Sequence, residues 1–572
     1  MIKLSDQQKT IVGLPLEPIS VTACAGSGKT RTAVYRLAEM RRRLDDEHGI
    51  VALLSFSNVA VDTFRREYLA LMRTAQIGRR SHSVEIDTVD GFIVTNVLRP
   101  HGPRVMGAPR APFLVDGREP FLKSFTVFDG KRPHPTTDLK FGLTGGAFTF
   151  SVGMNNAAVA PGDAGKALAK LAKTGAYTHE SARYWVHRTL KEQPFALRAL
   201  ARRYPHILVD EAQDIGPVHQ AILELLVEAG SQLSLIGDPN QGIYEFSGAN
   251  GAFLAQYGEK AGVTPKQLTV NYRSVPSILN VANKLSDRND TADRAEPPQL
   301  NGAFYIPFKK AEKGKALAAF QSMVASAGLA QRDGVVLCRS SAWADDWSGG
   351  EEGQGQGTVR SFVEAVIYRD KLKNMQRAYE NTCAGVVGLL ADGHGNLASM
   401  LARANPPAEM IKLRRTIWAF ARDPVEGLPE GTLLADSEWH PLMSTRVKAF
   451  IARIASEFGL TAGDNLGQKL AKKALENRSL IQLPDLAQAD VPVFKVSTVH
   501  KVKGESLEAV MYVANKDQVK QLLDGTATEV GRIGYVAVTR ARNLFVLAVP
   551  DNCIDELEPA LIENGFRKPG IQ

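Results

Sequence analysis

Residues Ala23-Cys24-Ala25-Gly26-Ser27-Gly28-Lys29-Thr30 carry the chemistry most open to reading in this chain. They follow an apolar run, Ile19–Thr22, and precede Ala33, Leu37, Met40 and Leu44, which recur at helical spacing. Strand, glycine-rich turn and helix in that order form a phosphate-binding loop. Gly26 and Gly28 let backbone N–H groups turn inward around phosphate oxygens, with Ala25 and Ser27 completing the cradle. The helix N-terminus adds the positive end of its dipole. Lys29 reaches the β- and γ-phosphates of a nucleoside triphosphate, and Thr30 offers its hydroxyl to Mg²⁺. The first position of the pattern is Ala23, where a glycine is usual. A second polar cluster, Asp210-Glu211-Ala212-Gln213-Asp214, ends another apolar run. Adjacent carboxylates at a strand end suit two tasks: Asp210 holding Mg²⁺, and Glu211 orienting and deprotonating the attacking water. Alone, such a cluster also serves as an acidic helix cap. Downstream of a phosphate loop it reads as the second half of a hydrolytic site.

Both sites require strands that deliver side chains at their carboxyl ends. Short apolar runs at Ile19–Thr22, Val51–Ser55, Ile207–Val209, Leu233–Ile236, Val335–Cys338, Phe494–Thr498, Ala509–Ala514 and Phe545–Val549 predict strands separated by helices. This is an α/β pattern. Two stretches interrupt it. Residues 95–200 begin rich in Pro and Gly and end in basic helix; residues 370–490 read as mainly helical. Both are expected to be insertions into α/β domains. From Lys166 to Arg203, nine basic residues face two acidic ones, a local +7 in a chain whose net charge is +8. A solvated helical face accounts for such a run as readily as a polyanion does.

At 572 residues the chain is long enough for about three to four domains, and 44% hydrophobic with 23% charged residues is an ordinary globular balance. No apolar run reaches spanning length, so no membrane span is expected. The opening MIKLSDQQKT has no apolar signal core, and the expectation is a cytoplasmic protein. The four cysteines lie far apart and no CxxC or HExxH occurs, which argues against zinc ribbons, iron–sulfur clusters and a disulfide scaffold.

Taken in order along the chain, the motifs resemble superfamily 1A helicases of the UvrD/Rep/PcrA type. Leu4-Ser5-Asp6-Gln7-Gln8 is similar to the adenine-reading Q motif, and Ser55–Asn58 and Asp87–Phe92 to motifs Ia and Ib. Asp210–Asp214 is similar to motif II, Gly237–Ala249 to motif III, Asn271–Ser274 to motif IV, Val496–Glu505 to motif V and Tyr535–Ala541 to motif VI. The resemblance implies two RecA-like P-loop NTPase domains with ATP between them, each carrying a mainly helical insertion. Domain 1A would take in residues 1–94 and 201–275, with insertion 1B at 95–200. Domain 2A, carrying motifs IV to VI with motif IV at its boundary, would take in 276–369 and 491–572, with insertion 2B at 370–490, short for that domain. The +7 segment then falls beside the implied nucleic-acid path, which favours an electrostatic role for it.

The resemblance also implies roles for individual residues. Gln8 and Arg31 would read the adenine, Tyr272 would pack on it, and Glu505 would bind the ribose. Gln241 would sense the γ-phosphate. Arg273 and Arg540 would reach it from the second domain as arginine fingers, making hydrolysis depend on closure of the cleft. Phe56 and Phe246 are candidates for stacking on bases of a single strand, supported by Tyr244, with Asn58, Thr88 and His500 as backbone contacts. Local capping competes for these last polar groups. Two departures stand out: motif V reads Lys503-Gly504-Glu505-Ser506, with its acidic residue one place early, and motif III has Glu245 and Ser247 around its aromatic residue.

The implied function is ATP- and Mg²⁺-dependent translocation 3′→5′ on single-stranded DNA, or on DNA with a single-stranded tail, with helicase activity. The competing reading is a DNA-activated NTPase that senses DNA for a separate nuclease or defence effector. It rests on a short likeness at Asp90–Ile93 and Asn96–Pro100 to the helicase-like subunit of Gabija antiphage systems. A P-loop enzyme acting on something other than nucleic acid would leave motifs Ia, III and V without a purpose.

Overall fold

The computed structural model describes residues 4–44, 49–74, 84–115, 117, 119–153, 155–245, 248–249, 251–348, 354–391, 397, 401, 408–481 and 494–570. The chain divides into two compact units. One comprises Met1–Gly117, Leu122–Arg339 and Ser497–Gln572, and the other Arg118–Phe121 and Ser340–Val496.

The first unit holds two parallel sheets. The first sheet is built from β1 (Ile19–Ala23), β2 (Val51–Ser55), β3 (Val84–Thr88), β4 (His206–Val209), β5 (Gln232–Gly237) and β6 (Thr264–Leu268). Its strand order is β6-β1-β5-β4-β2-β3, and every neighbouring pair is parallel. Helices α1 (Asp6–Gly13), α2 (Lys29–Arg43), α3 (Asn58–Thr74), α4 (Val89–Ile93), α5 (His179–Glu192) and α6 (Pro217–Glu228) accompany it. Alternate residues of β2 serve different cores. Val51 and Leu53 pack with Val34, Leu37 and Phe64 of α2 and α3, while Ala52 and Leu54 pack with Phe92, Trp185 and Ile222. A parallel sheet covered on both faces explains why its central strands are nearly uninterrupted apolar runs.

The insertion after β3 shares that second core: Phe150, Val152 and Leu168 pack in one cluster with Phe92 and Ile222. Helices dominate it, but it also contains antiparallel strands. Thr126–Phe128 pairs with Pro133–Pro135, and Lys140–Thr144, Ala147–Val152 and Ala157–Val159 form a three-stranded sheet.

The second parallel sheet contains β7 (Gly302–Phe308), β8 (Gly334–Cys338), β9 (Lys495–Thr498), β10 (Leu507–Val513) and β11 (Ala541–Pro550), in the order β7-β11-β10-β8-β9. Helix α7 (Glu529–Arg540) runs directly into β11, so Arg540 ends a helix and Ala541 begins a strand. Residues 271–273 lead from the first sheet to the second.

The second unit is helical. Helices Gly357–Asp370, Met375–Gly388, Ala408–Arg422 and His440–Phe458 surround a core that includes Phe362, Ile417, Trp439 and Ile451. Helix Gly357–Asp370 contributes to this core, so the unit takes in residues ahead of 370. Among the described residues, no helix is long and apolar enough to cross a membrane.

Candidate functional site

The loop after β1 turns through two left-handed glycines, Gly26 at φ 72° and Gly28 at φ 79°, before α2 begins at Lys29. Neither position accepts a side chain. A Cβ on Gly28 would lie 2.6 Å from Gln8 Nε2, and one on Gly26 would lie 2.6 Å from Arg273 Cβ. Residues of the motif IV segment hold the loop from outside. Asn271 Nδ2 donates to Ala25 O at 2.7 Å, and Tyr272 N donates to Gly26 O at 3.0 Å. Ser27 closes the loop internally through Oγ to Cys24 O at 2.8 Å. Burial pushes the Cys24 thiol up to about 12, so it remains a small neutral residue of the loop.

Asp210 follows β4 and is pinned by its N–H to Leu54 O at 2.9 Å. Its carboxylate is 1% exposed, and Oδ1 has no hydrogen-bond partner among the described residues. Burial, then the Glu211 charge, drives the Asp210 carboxyl upward. Glu211, against the cost of its own burial, is drawn downward by Lys29 and Lys503. Two adjacent carboxylates thus hold unequal charge. Glu211 stands at φ 54°, a left-handed conformation that costs a residue with a Cβ about 1–3 kcal/mol and recurs at functional sites. A hard divalent cation suits this donor set: the open Oδ1 of Asp210, and the Thr30 hydroxyl in the first turn of α2.

A continuous hydrogen-bonded path runs from this pair to the second sheet. Gln213 Nε2 donates to Glu211 Oε2, and Gln213 Oε1 accepts from Asp238 N at 3.0 Å. Asp238 Oδ2 accepts from Gln241 Nε2 at 2.7 Å, and Gln241 Oε1 accepts from Arg540 Nη2 at 2.9 Å. Arg540 is 2% exposed. Arg273 lies over the phosphate loop and donates from Nη1 to Thr539 O at 2.7 Å. Burial, then the Arg540 charge, pulls the Arg273 guanidinium well below its ordinary value. Two guanidinium groups, that of Arg540 buried and that of Arg273 half-buried over the phosphate loop, form a site whose electrostatics favour an anion.

Gln8, Arg31 and Tyr272 line one cavity of about 540 Å³, joined by Asp6, Lys9 and Asp293. Gln8 already accepts from Ser5 N at 3.0 Å and donates to Ser27 O at 3.0 Å. One lone pair and one N–H of its amide remain for a base. Glu505 is exposed in the loop before β10, and its carbonyl accepts from Arg540 Nη1 at 3.4 Å.

The proposed nucleic-acid residues fall into two groups. Ser55 and Thr88 are register partners at the ends of β2 and β3, so Phe56, Asn58 and Thr88 emerge together. Asn58 is exposed at the start of α3. Thr88 is committed to capping α4, its Oγ1 accepting from Gly91 N at 2.9 Å. Tyr244 and His500 form the second group, with ring centroids 5.8 Å apart, and His500 Nε2 lies 3.1 Å from Ile243 O. Phe246 lies outside the described residues.

Other residues in and near the motifs also join the site. Lys503 Nζ donates to both oxygens of Asp214, at 2.7 and 2.6 Å, in an ion pair with both side chains under 10% exposed. Its ammonium also lies 4.6 Å from the Tyr244 ring centroid. Arg532 donates to Gly242 O at 2.6 Å and to Glu245 Oε2 at 2.8 Å, so the unusual Glu245 is an anchor for α7. Asn96, next to motif Ib, bridges Glu85 Oε1 at 2.8 Å and Tyr204 OH at 3.0 Å.

Fold and site together define a P-loop NTPase with two parallel-sheet lobes. Residues 4–136 and 168–261 match the family profile of the UvrD/REP helicase N-terminal domain. The chain is similar to the ATP-dependent DNA helicase UvrD2 of Mycobacterium tuberculosis, at 23% identity over 585 residues, covering 94% of this chain and 77% of that one. It is similar to DNA helicase II of Escherichia coli at 25% identity over 309 residues, covering 50% of this chain and 41% of that one. A third relative, the putative ATP-dependent DNA helicase YjcD of Bacillus subtilis, is 28% identical over 157 residues, 26% of this chain and 21% of that one. Residues 4–136 and 168–261 are thus similar to the N-terminal domain of UvrD/REP helicases, and the chain over most of its length is similar to a DNA helicase of the UvrD type.

Proposed function

We propose that this protein hydrolyses Mg-ATP to move 3′→5′ along single-stranded DNA, and separates strands as it does so. The path from Glu211 to Arg540 carries the proposal, because it links a carboxylate of one lobe to a cation of the other across the space beside the phosphate loop. In this reading the nucleotide's phosphates lie on the N–H groups of Gly26–Thr30 with Lys29 at the terminal group. Glu211 accepts a proton from the attacking water. Arg273 and Arg540 neutralise charge developing on the transferred phosphoryl group. Asp210 and Thr30 would hold Mg²⁺, which when bound would supply Lewis-acid neutralisation of the phosphate oxygens. The adenine occupies the cavity lined by Gln8, Arg31 and Tyr272, with the ribose toward Glu505.

Loss of the terminal phosphate removes the anion between the lobes and weakens their closure. Through motif III, that change reaches Tyr244 and the strand bound beside Phe56, Asn58, Thr88 and His500. Polarity rests on family likeness, and DNA as the partner on the relatives' described activities.

ATPase measurement with and without single-stranded DNA, in parallel with displacement of 3′- and 5′-tailed duplexes, tests the proposal. Stimulation by DNA, displacement from 3′ tails, and loss of hydrolysis in Lys29→Ala with the fold retained are expected. A rate indifferent to DNA contradicts it, and displacement from 5′ tails alone reverses the polarity. Stimulation without displacement from either tail supports the regulatory reading, in which a separate nuclease or effector acts.

A further inference from the structure

Phe56 has a partner that the motifs do not include. The imidazole of His219, in the first turn of α6, meets the Phe56 ring edge-to-face at 5.5 Å between centroids and 79° between planes. His219 is buried, and its Nε2 lies 2.9 Å from Asp90 Oδ1. Asp90 also receives a forked pair of bonds from Arg183, Nε to Oδ1 at 2.9 Å and Nη2 to Oδ2 at 2.8 Å. Arg183 Nη1 in turn donates to Glu180 Oε1 at 3.0 Å. Against the cost of burial, the bonds from Arg183 and His219 hold Asp90 far below the usual carboxylate range. Its carboxylate therefore accepts only, and Nε2 of His219 is the nitrogen that carries hydrogen.

The four side chains come from four separate elements. Phe56 follows β2, Asp90 lies on α4, His219 on α6, and Arg183 on α5 of the inserted segment. A phenyl ring half-buried at a strand end retains rotamer freedom unless something fixes its plane. A ring locked by a charge-assisted hydrogen bond provides that constraint.

We propose that His219 is a positioning residue for the Phe56 platform: held by Asp90 and Arg183, it fixes the plane of the phenyl ring so that the open face is presented to a nucleobase. The inference rests on the reading of Phe56 as a base-stacking residue. It adds a dependence of that platform on the basic insertion, through Arg183. Stacking is a contact to the base, so the device acts on base-bearing strands and leaves the sugar–phosphate contribution alone.

The test compares oligo-dT with an abasic oligonucleotide of equal length, reading the concentration of each that half-saturates the ATPase. For Phe56→Ala the oligo-dT value rises about tenfold while the abasic value stays near the parent's. His219→Ala shows the same selective rise, about three- to fivefold, and the double variant is no worse than Phe56→Ala alone. His219→Gln, which keeps a donor toward Asp90 but has no ring, behaves as His219→Ala and serves where the alanine variant melts early. An equal shift for both oligonucleotides in the histidine variants overturns the inference, as does a double variant in which the two losses multiply. A Phe56→Ala variant that does not distinguish the two strands removes the platform itself, a failure of the underlying reading that is visible without any histidine variant.

Discussion

Gly28 shows how little freedom the nucleotide loop has. Its φ of 79° favours glycine, and a Cβ there would meet the buried amide of Gln8 at 2.6 Å. Gly28→Ala therefore costs about 1–2 kcal/mol in backbone conformation alone, with the clash in addition. The expected outcome is a loss of nucleotide affinity of tenfold or more, measured by titration with a fluorescent ATP analogue, and displacement of Gln8 from Ser27 O. Unchanged affinity would mean that the loop tolerates a conformation different from the one described. Glu211 carries a comparable constraint for a different purpose, since its left-handed backbone sets the direction in which its carboxylate leaves β4. These residue-scale features were legible in part. Spacing marks Gly26, Gly28, Lys29 and the carboxylate pair, because that chemistry needs fixed residue types. The strain at Glu211 leaves no trace in composition.

Coupling between the lobes lies at the scale of elements. Helix α7 grips motif III twice, through Arg540 to Gln241 and through Arg532 to Gly242 and Glu245. The motif V loop grips motif II through the buried Lys503–Asp214 pair. Removing one partner of such a pair leaves an uncompensated charge and typically costs about 3–5 kcal/mol, whereas replacing both costs less. Asp214→Asn is therefore expected to lower the melting temperature and DNA-stimulated ATPase together. Adding Lys503→Met should recover much of the melting temperature and little of the stimulation. A double variant that recovers both would reduce the pair to a structural role.

A second element-scale expectation concerns acid. His206 at the start of β4 and His187 in α5 are held neutral, each pulled down to about 4, mainly by burial. The unfolded chain binds protons at these sites below the ordinary histidine value of 6.5, and the folded chain does not until about pH 4. Stability from these residues is thus complete above pH 6.5 and is lost as pH falls toward 4. The melting temperature is expected to drop between pH 7 and pH 5, and less steeply in a His187→Phe, His206→Asn variant. An equally steep drop in that variant assigns the acid sensitivity elsewhere.

For the molecule as a whole, all eight strands expected from apolar runs are present, and the strands that escaped notice in the two parallel sheets are at their edges. Thr264–Leu268 and Val84–Thr88 border the first sheet and Gly302–Phe308 borders the second. A central strand, buried on both faces, reads as an apolar run. The edge strand Thr264–Leu268, TPKQL, alternates with solvent, and Pro307 within Gly302–Phe308 is tolerated because it lies past Ala303–Tyr305, the part of that strand whose outer side bonds to Arg567. The motif-bearing residues were legible because they share spacing with a known family. The residues that tie lobe to lobe, Lys503 and Arg532, were visible in the sequence but not their partners, since pairing across 289 and 287 positions is a property of the fold. The same holds for His219, 129 positions from Asp90.

The central claim is that cations of the second lobe act on a nucleotide held by the first. Single-turnover hydrolysis by Arg540→Ala, with ATP binding titrated separately, tests it most directly. The account predicts binding within a few-fold of the parent and a hydrolysis rate lower by about 10³ or more in the presence of DNA. An Arg540→Ala variant that hydrolyses bound ATP at the parent's rate would contradict it.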